Sequence, residues 1–284
     1  MKKILLTIIT VGLALMLTGC SLIPGIFGDK TEAVKNQKLT LSLAFGEESG
    51  TYSGDLVKDL PQGTGSFTVT DDNEGAWTYQ GAWDKGHFKG FGETTWEDGF
   101  AQKGNYQDDL LNGQGEESLN GKLLYAGNYT DNRYDGQGIL YNYNGEVIYD
   151  GDFDMGYYNE TANQREARLN PFKAQATEMP YTKIVEEATN KTGEKIKMTG
   201  RIYQVYENYE NQQYFCDFIM DVNDDPNQMV QVYYRLNTGE NPFVEGQMVT
   251  VWGTVEYLYT YSSEGGAQNS IPNVEAWSVE GNEG

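Results

Sequence analysis

Glycines recur at a nearly constant spacing through the first half of the chain. Gly54, Gly81, Gly104, Gly127 and Gly151 are separated by steps of 27, 23, 23 and 24 residues. Nine residues after each of the first four stands a G-x-G pair: Gly63/Gly65, Gly90/Gly92, Gly113/Gly115 and Gly136/Gly138. Two residues after the leading glycine there is usually an aromatic: Trp83, Tyr106, Tyr129 or Phe153. Asp98-Gly99, Asn120-Gly121 and Asn144-Gly145 close the units with dipeptides favoured in tight hairpin turns. A period of about two dozen residues means stacked copies of one supersecondary unit.

The offsets identify that unit. In a strand, residues i, i+2 and i+4 share a face, so Tyr79, Gly81 and Trp83 point one way, as do Gly90, Gly92, Thr94 and Trp96. Gln80 and Asp84 face the other side. Each unit reads as a hairpin with rings on its first strand and gaps on its second. Glycine inside a strand weakens it unless something approaches closely, and rings laid over bare backbone supply that reason. Tyr79, Trp83, Trp96, Tyr106, Tyr125 and Tyr129 then form either the core of a single-layer sheet or an aromatic binding face.

These residues resemble the MORN repeat, approximately Y-x-G-x-W-x-x-G-x-x-x-G-x-G, from Tyr52 to about Phe153. Unit three departs from it with Gln102 in the tyrosine position. Unit five begins "YDGDF" but lacks a G-x-G pair, as suits a terminal cap. The resemblance implies a twisted, single-layer row of antiparallel hairpins that is non-catalytic and serves in scaffolding, membrane association or self-association.

Glycines thin out after Glu160. "PYTKIVEEATNK", opened by Pro180 and followed by Gly193, predicts a short helix. From Lys195 onward five strand-like runs appear without the repeat period. Ile196, Met198, Gly200 and Ile202 alternate inward in the first; Val249, Val251, Gly253 and Val255 do so in the fourth. Five strands, mid-strand glycines in "KIKMTGRI" and "EGQMVTVWGTV", and a lead-in helix resemble an OB-fold of the tRNA-anticodon-binding group. A generic small β-sandwich is the alternative. The expected fold is mainly β: a MORN-like hairpin row followed by a five-stranded OB-like barrel. The expected segments are a leader over 1–19, a tether over 20–40, the row over 41–160, a linker over 161–179 and the barrel over 180–284.

The N-terminus reads "MKKILLTIITVGLALMLTGC", with Lys2 and Lys3 before a short apolar run. That is the architecture of a secretory signal, and the run is shorter than the roughly 20 residues of a membrane-spanning helix. Leu17-Thr18-Gly19-Cys20 resembles the bacterial lipobox. That resemblance implies cleavage before Cys20, a lipid on its sulfur and a place on the extracytoplasmic face of the cell membrane; an ordinary signal peptide is the alternative. The one other cysteine, Cys216, lies in the apolar run "YFCDFIM" and reads as a small buried hydrophobe.

Chemistry is sparse. A net charge of -22 repels phosphate backbones and argues against nucleic-acid partners. The single histidine, His87, sits between Lys85 and Lys89 without a ligating companion and reads as an exposed loop residue. Asp150, Asp152 and Asp154 alternate as in a calcium loop, but Met155 replaces the turn glycine and Thr161 the closing glutamate. "DVNDDPN" from Asp221 has Pro226 at its turn, so both read as solvated turns with at most weak calcium binding. No phosphate loop, dinucleotide fingerprint or nucleophile elbow is present, and no cofactor or metal is expected.

On the barrel, alternation sends Arg201, Tyr203, Phe215, Tyr233, Arg235 and Trp252 outward, where they are expected to bind a ligand or to pack against the helix or the row. The expected function is a non-catalytic, lipid-anchored surface protein that scaffolds or binds envelope components or protein partners. A ligand-binding barrel for an oligosaccharide or peptide is the alternative. An enzyme requires a cleft with converging Asp or Glu groups.

Overall fold

The computed structural model describes residues 30–70, 75–206, 215–262 and 268–281. Cys20 and the leader lie outside the described residues. The chain is mainly β, with one eleven-stranded antiparallel sheet and a closed five-stranded barrel. The sheet strands follow chain order: β1 (Thr31–Leu43), β2 (Gly46–Val57), β3 (Leu60–Val69), β4 (Trp77–Asp84), β5 (His87–Trp96), β6 (Phe100–Gln107), β7 (Leu110–Leu119), β8 (Lys122–Thr130), β9 (Arg133–Tyr141), β10 (Val147–Asp154) and β11 (Tyr157–Tyr158). Helices α1 (Ala162–Lys173) and α2 (Tyr181–Asn190) lead to the barrel strands β12 (Lys195–Tyr206), β13 (Phe215–Val222), β14 (Asp225–Arg235), β15 (Met248–Ser262) and β16 (Gln268–Gly281).

The period in the sequence becomes a ladder in space. Gly54, Gly65, Gly81, Gly92, Gly104, Gly115, Gly127, Gly138 and Gly151 are successive register partners, one per strand from β2 to β10. Tyrosine rings lie along this bare line: Tyr52 over Gly54 and Gly65, Tyr79 over Gly81 and Gly92, Tyr125 over Gly127 and Gly138. The hydroxyls of Tyr52, Tyr79, Tyr125 and Tyr149 each donate to the carbonyl three residues ahead, at 2.8–3.1 Å. Each ring is therefore fixed at both ends. Tyr79 stacks on Phe88 at 3.7 Å and meets Trp83 edge-on at 5.2 Å. Tyr125 and Tyr134 repeat the stack at 3.6 Å.

The two glycines of each G-x-G pair do different work. The second is the ring seat. The first, at Gly63, Gly90, Gly113 and Gly136, has φ of 75°, 82°, 90° and 86°, a left-handed backbone that glycine adopts without penalty. Gly90 lies under no ring; the nearest side-chain atom to its missing Cβ is that of Ala82, at 3.5 Å. The expected ring packing over both glycines is thus corrected to one.

The rings are the core of the row. Tyr52, Phe67, Tyr79, Trp83, Phe88 and Tyr125 are all buried. A sheet one layer thick leaves its apolar face open unless other elements cover it. At one end the cover is the first hairpin itself. The β1–β2 pairing extends past β3, and Leu41 and Leu43 are buried in the ring core. Asp109, in the turn between β6 and β7, accepts from the Ala44 backbone N–H in the hairpin tip at 2.9 Å. It also accepts from Phe88 N–H at 2.7 Å and lies 2.8 Å from His87 Nδ1. His87 is therefore held in β5 against a buried carboxylate instead of lying in a free loop. At the other end, Leu169 and Phe172 of α1 join the same core with Trp277 of β16, which stacks on Phe172 at 4.1 Å.

Two expected boundaries shift. Residues 31–40, expected as tether, belong to β1: their backbone pairs with β2 although few of their side chains are buried. Residues 162–173, expected as linker, form α1. Its start is a capping box, in which Thr161 and Gln164 satisfy each other's backbone N–H groups, and its only buried apolar side chains are Leu169 and Phe172. Helix α2 falls within the predicted span and ends at Lys191 in a left-handed cap.

The barrel closes in the order β12-β13-β14-β16-β15, with β14 and β16 parallel and the other pairs antiparallel. Ile196, Met198, Ile202, Val249, Val251 and Val255 point inward, as the alternation predicts. A side chain at Gly200 would overlap the Asp221 carbonyl oxygen, and one at Gly253 would come within 2.5 Å of the Glu275 carbonyl oxygen. Both glycines permit close strand approach. Cys216 is buried, and burial raises its thiol pKa.

Candidate functional site: a cleft between the row and the barrel

The last hairpin of the row is stitched to the barrel. Tyr158 N–H donates to the Leu236 carbonyl at 3.0 Å, and Thr238 N–H donates to the Tyr158 carbonyl at 2.9 Å. Arg235 reaches across: Nη1 donates to the Gly156 carbonyl at 2.7 Å and the guanidinium lies 4.7 Å from the Tyr134 ring centre. Beside this seam is a cleft of about 260 Å³. Glu117, Tyr134, Leu140 and Tyr143 line it from the row; Asp217, Gln231, Tyr233, Arg235, Tyr257 and Glu275 line it from the barrel.

Strand register assembles the barrel wall. Asp217 of β13 pairs with Tyr233 of β14, which pairs with Glu275 of β16. Gln231, two residues before Tyr233, sits on the same face opposite Asn273. The wall is rich in acceptors that meet no protein donor. Among the described residues, Asp217 Oδ1, Gln231 Oε1 and Glu275 Oε2 are buried without a hydrogen-bond partner. Leaving such groups unsatisfied costs on the order of 1–3 kcal/mol each. Burial pushes the Asp217 carboxyl up to about 6. Glu275 is pushed up to about 8, first by burial and then by the nearby Glu256 charge, with Arg235 opposing.

The row contributes a polar interruption of its own. Gln102 stands where the other units carry a ring-seated tyrosine, and no leading tyrosine covers Gly104 and Gly115. Two strand positions beyond the ring-seat glycine, units one and four have Phe67 and Leu140, whereas units two and three have Thr94 and Glu117. Glu117 accepts from Gln102 Nε2 at 3.0 Å and from the Tyr134 hydroxyl at 2.5 Å. Thr94 and Tyr106 share a hydroxyl–hydroxyl bond of 3.0 Å. Polar groups thus replace rings in the middle of the core face.

Of the six residues expected to bind, Tyr233 and Arg235 line the cleft. Phe215 packs against Tyr233 with ring centres 5.1 Å apart. The other three lie elsewhere. Arg201 pairs with Asp224 at 3.1 Å and donates to the Gly246 carbonyl. Tyr203 is 65% exposed on the same strand as Arg201. Trp252 packs against the row's core beneath Lys173, whose Nζ is 4.3 Å from its ring centre. The outward-facing set therefore divides over different sides of a closed barrel. Asp217, Gln231 and Glu275 were missed, although Asp217 shares strand parity with Phe215, and Gln231 shares it with Tyr233 and Arg235. A carboxylate inside an apolar run, as in "FCDFIM" and "VEAWSV", was the available signal.

Among the described residues no group of three or more His, Cys, Asp or Glu is placed to hold a metal ion, and no helix is long and apolar enough to cross a membrane. The chain matches no protein-family model and no curated protein.

Proposed function

We propose that this is a non-catalytic binding module of the bacterial envelope, lipid-anchored through Cys20, whose ligand site is the cleft between a MORN-like row and an OB-like barrel. The glycine ladder with seated tyrosines supports the first likeness. The barrel order with one parallel pair supports the second, since a five-stranded Greek-key barrel of this kind binds ligands across its second and third strands, here β13 and β14. The anchor rests on the Leu-Thr-Gly-Cys resemblance; Cys20→Ser is expected to move the protein from the membrane to the soluble fraction, and unchanged membrane retention would remove it.

One observation carries the ligand reading: three buried, unpartnered acceptors converge on a cleft that also presents Tyr233 and Tyr257. Such a wall calls for a donor-rich ligand with a face for stacking, and an oligosaccharide meets both needs. On a glycan array the full chain is expected to bind, and Tyr233→Ala to weaken binding about tenfold. Trp252→Ala, remote from the cleft, is expected to leave binding unchanged. Equal loss in both variants would detach binding from the cleft. A blank array would leave the scaffold reading, which rests on β1 forming a 13-residue edge of the sheet; light scattering showing a strict monomer would then remove that too.

A further inference from the structure

The core face of the row continues beyond Glu117. Gln102 lines a second hollow of about 230 Å³ on the same face of the row, and its hydrogen bond to Glu117 is the partition between the two. In every other unit a tyrosine ring seated on the glycine ladder occupies the position of Gln102. In unit three Leu111 and Tyr129 lie over Gly104 and Gly115 instead, so the shorter, polar Gln102 stands at the boundary of the hollows where other units place a ring. The first hairpin overhangs the far hollow. Phe45 at its tip is 52% exposed, packs edge-on to Trp77 at 5.9 Å and lines the hollow together with Trp96. Asp109 pins that overhang through the Ala44 N–H, so the wall is held in place. From Trp96 on β5 to Leu140 on β9 the face crosses four inter-strand steps, roughly 20 Å.

Resting on the proposed cleft reading, we infer that the two hollows are subsites of one groove that takes a linear oligomer of amino sugars. Aromatic walls at Phe45, Trp77, Trp96, Tyr233 and Tyr257 suit the apolar faces of successive sugar rings. Four carboxylates, Glu48, Asp109, Glu117 and Asp217, line the hollows against the single guanidinium of Arg235, and the buried Glu275 carboxyl, protonated at neutral pH, adds its charge as the pH rises. That guanidinium is already committed to Gly156 and Tyr134. Gln231 is itself buried to more than nine-tenths and directs an unpartnered acceptor into the groove. The charge balance selects a cationic, donor-bearing chain, which means free amines in preference to acylated ones.

The test is calorimetric titration of the full chain with glucosamine oligomers from the dimer to the octamer, with the N-acetylated series in parallel. Affinity for the glucosamine series is expected to rise about tenfold or more with length as the second subsite fills. Phe45→Ala is expected to remove that gain and leave the shortest binder unaffected. Gln102→Tyr puts a bulky ring at the boundary and is expected to abolish the gain by blocking the passage, with thermal unfolding checking that the fold is kept, so the two variants approach the groove from opposite directions. Tyr233→Ala is expected to weaken every length. Affinity independent of length, or a length gain untouched by both Phe45→Ala and Gln102→Tyr, overturns the groove while cleft binding on the array stands. Preference for the N-acetylated series overturns the cationic class. No binding of either series overturns the amino-sugar groove, and the array decides separately whether the cleft reading survives.

Discussion

Gly92→Ala is expected to destabilise the row by about 3 kcal/mol or more, in the range of severe overpacking, lowering the unfolding temperature by roughly 6–12 °C for a unit of this size. A methyl group there would lie 2.5 Å from Tyr79 Cε2. The ring cannot step aside. It is stacked on Phe88, set against Trp83 and Tyr106, and tied by its hydroxyl to the Ala82 carbonyl. Gly90→Asn, only two residues away, is expected to cost less than about 1 kcal/mol: asparagine tolerates positive φ, and a Cβ at that position meets only Ala82, at an ordinary contact distance of 3.5 Å. Thermal unfolding of the two variants beside the unaltered chain measures the contrast. Equal losses would mean that backbone conformation, and not the seated ring, sets the glycine requirement.

That contrast also shows how the sequence could be read and where it blurred. Spacing alone places Gly90 and Gly92 together, because both obey the period. Only coordinates separate a glycine needed for its φ from one needed for its missing side chain. The row was legible because the leading glycine recurs five times and the G-x-G pair four times, so that one physical rule is restated until chance is excluded. Helix α1 was not, since just two of its residues, Leu169 and Phe172, are buried. Strand β1 was not, because it is held by backbone pairing at an edge, with side chains that look like those of a tether.

The cleft was harder still. Alternation correctly sent Tyr233 and Arg235 outward, but a closed barrel turns outward into several directions, and the sequence does not say which strands meet the row. Tyr233 comes beside Glu275 through a parallel pairing between β14 and β16, strands separated by the whole of β15. Gln102 was visible as a departure from the repeat. Its meaning as part of the partition between two hollows needed Glu117 and Tyr134 beside it, which come from two further strands. Sites of this kind are written as exceptions to local rules, and each exception has an ordinary reading until several are found converging.

Glu275→Gln is expected to stabilise the protein at alkaline pH by about 2–4 kcal/mol and to flatten its stability profile between pH 5 and 9. The carboxyl is held near 8 in the folded chain and returns to about 4.3 when unfolded. Between those values the native state binds the extra proton, so stability is greatest below the unfolded pKa and falls as pH rises through 8. Groups around the site bear on the size of the effect: Glu256 on β15 repels the charge, Arg235 on β14 attracts it, and burial dominates both. Asp217 on β13, held near 6, contributes a smaller fall in the same direction at lower pH, and that part is expected to persist in the variant. Denaturant unfolding across the pH range separates the two, and parallel curves for the variant and the unaltered chain would show that Glu275 is not the group being titrated. A cationic ligand placed against the ionised carboxylate offsets the same penalty, so saturating glucosamine oligomer is expected to narrow the gap between the two proteins at pH 9.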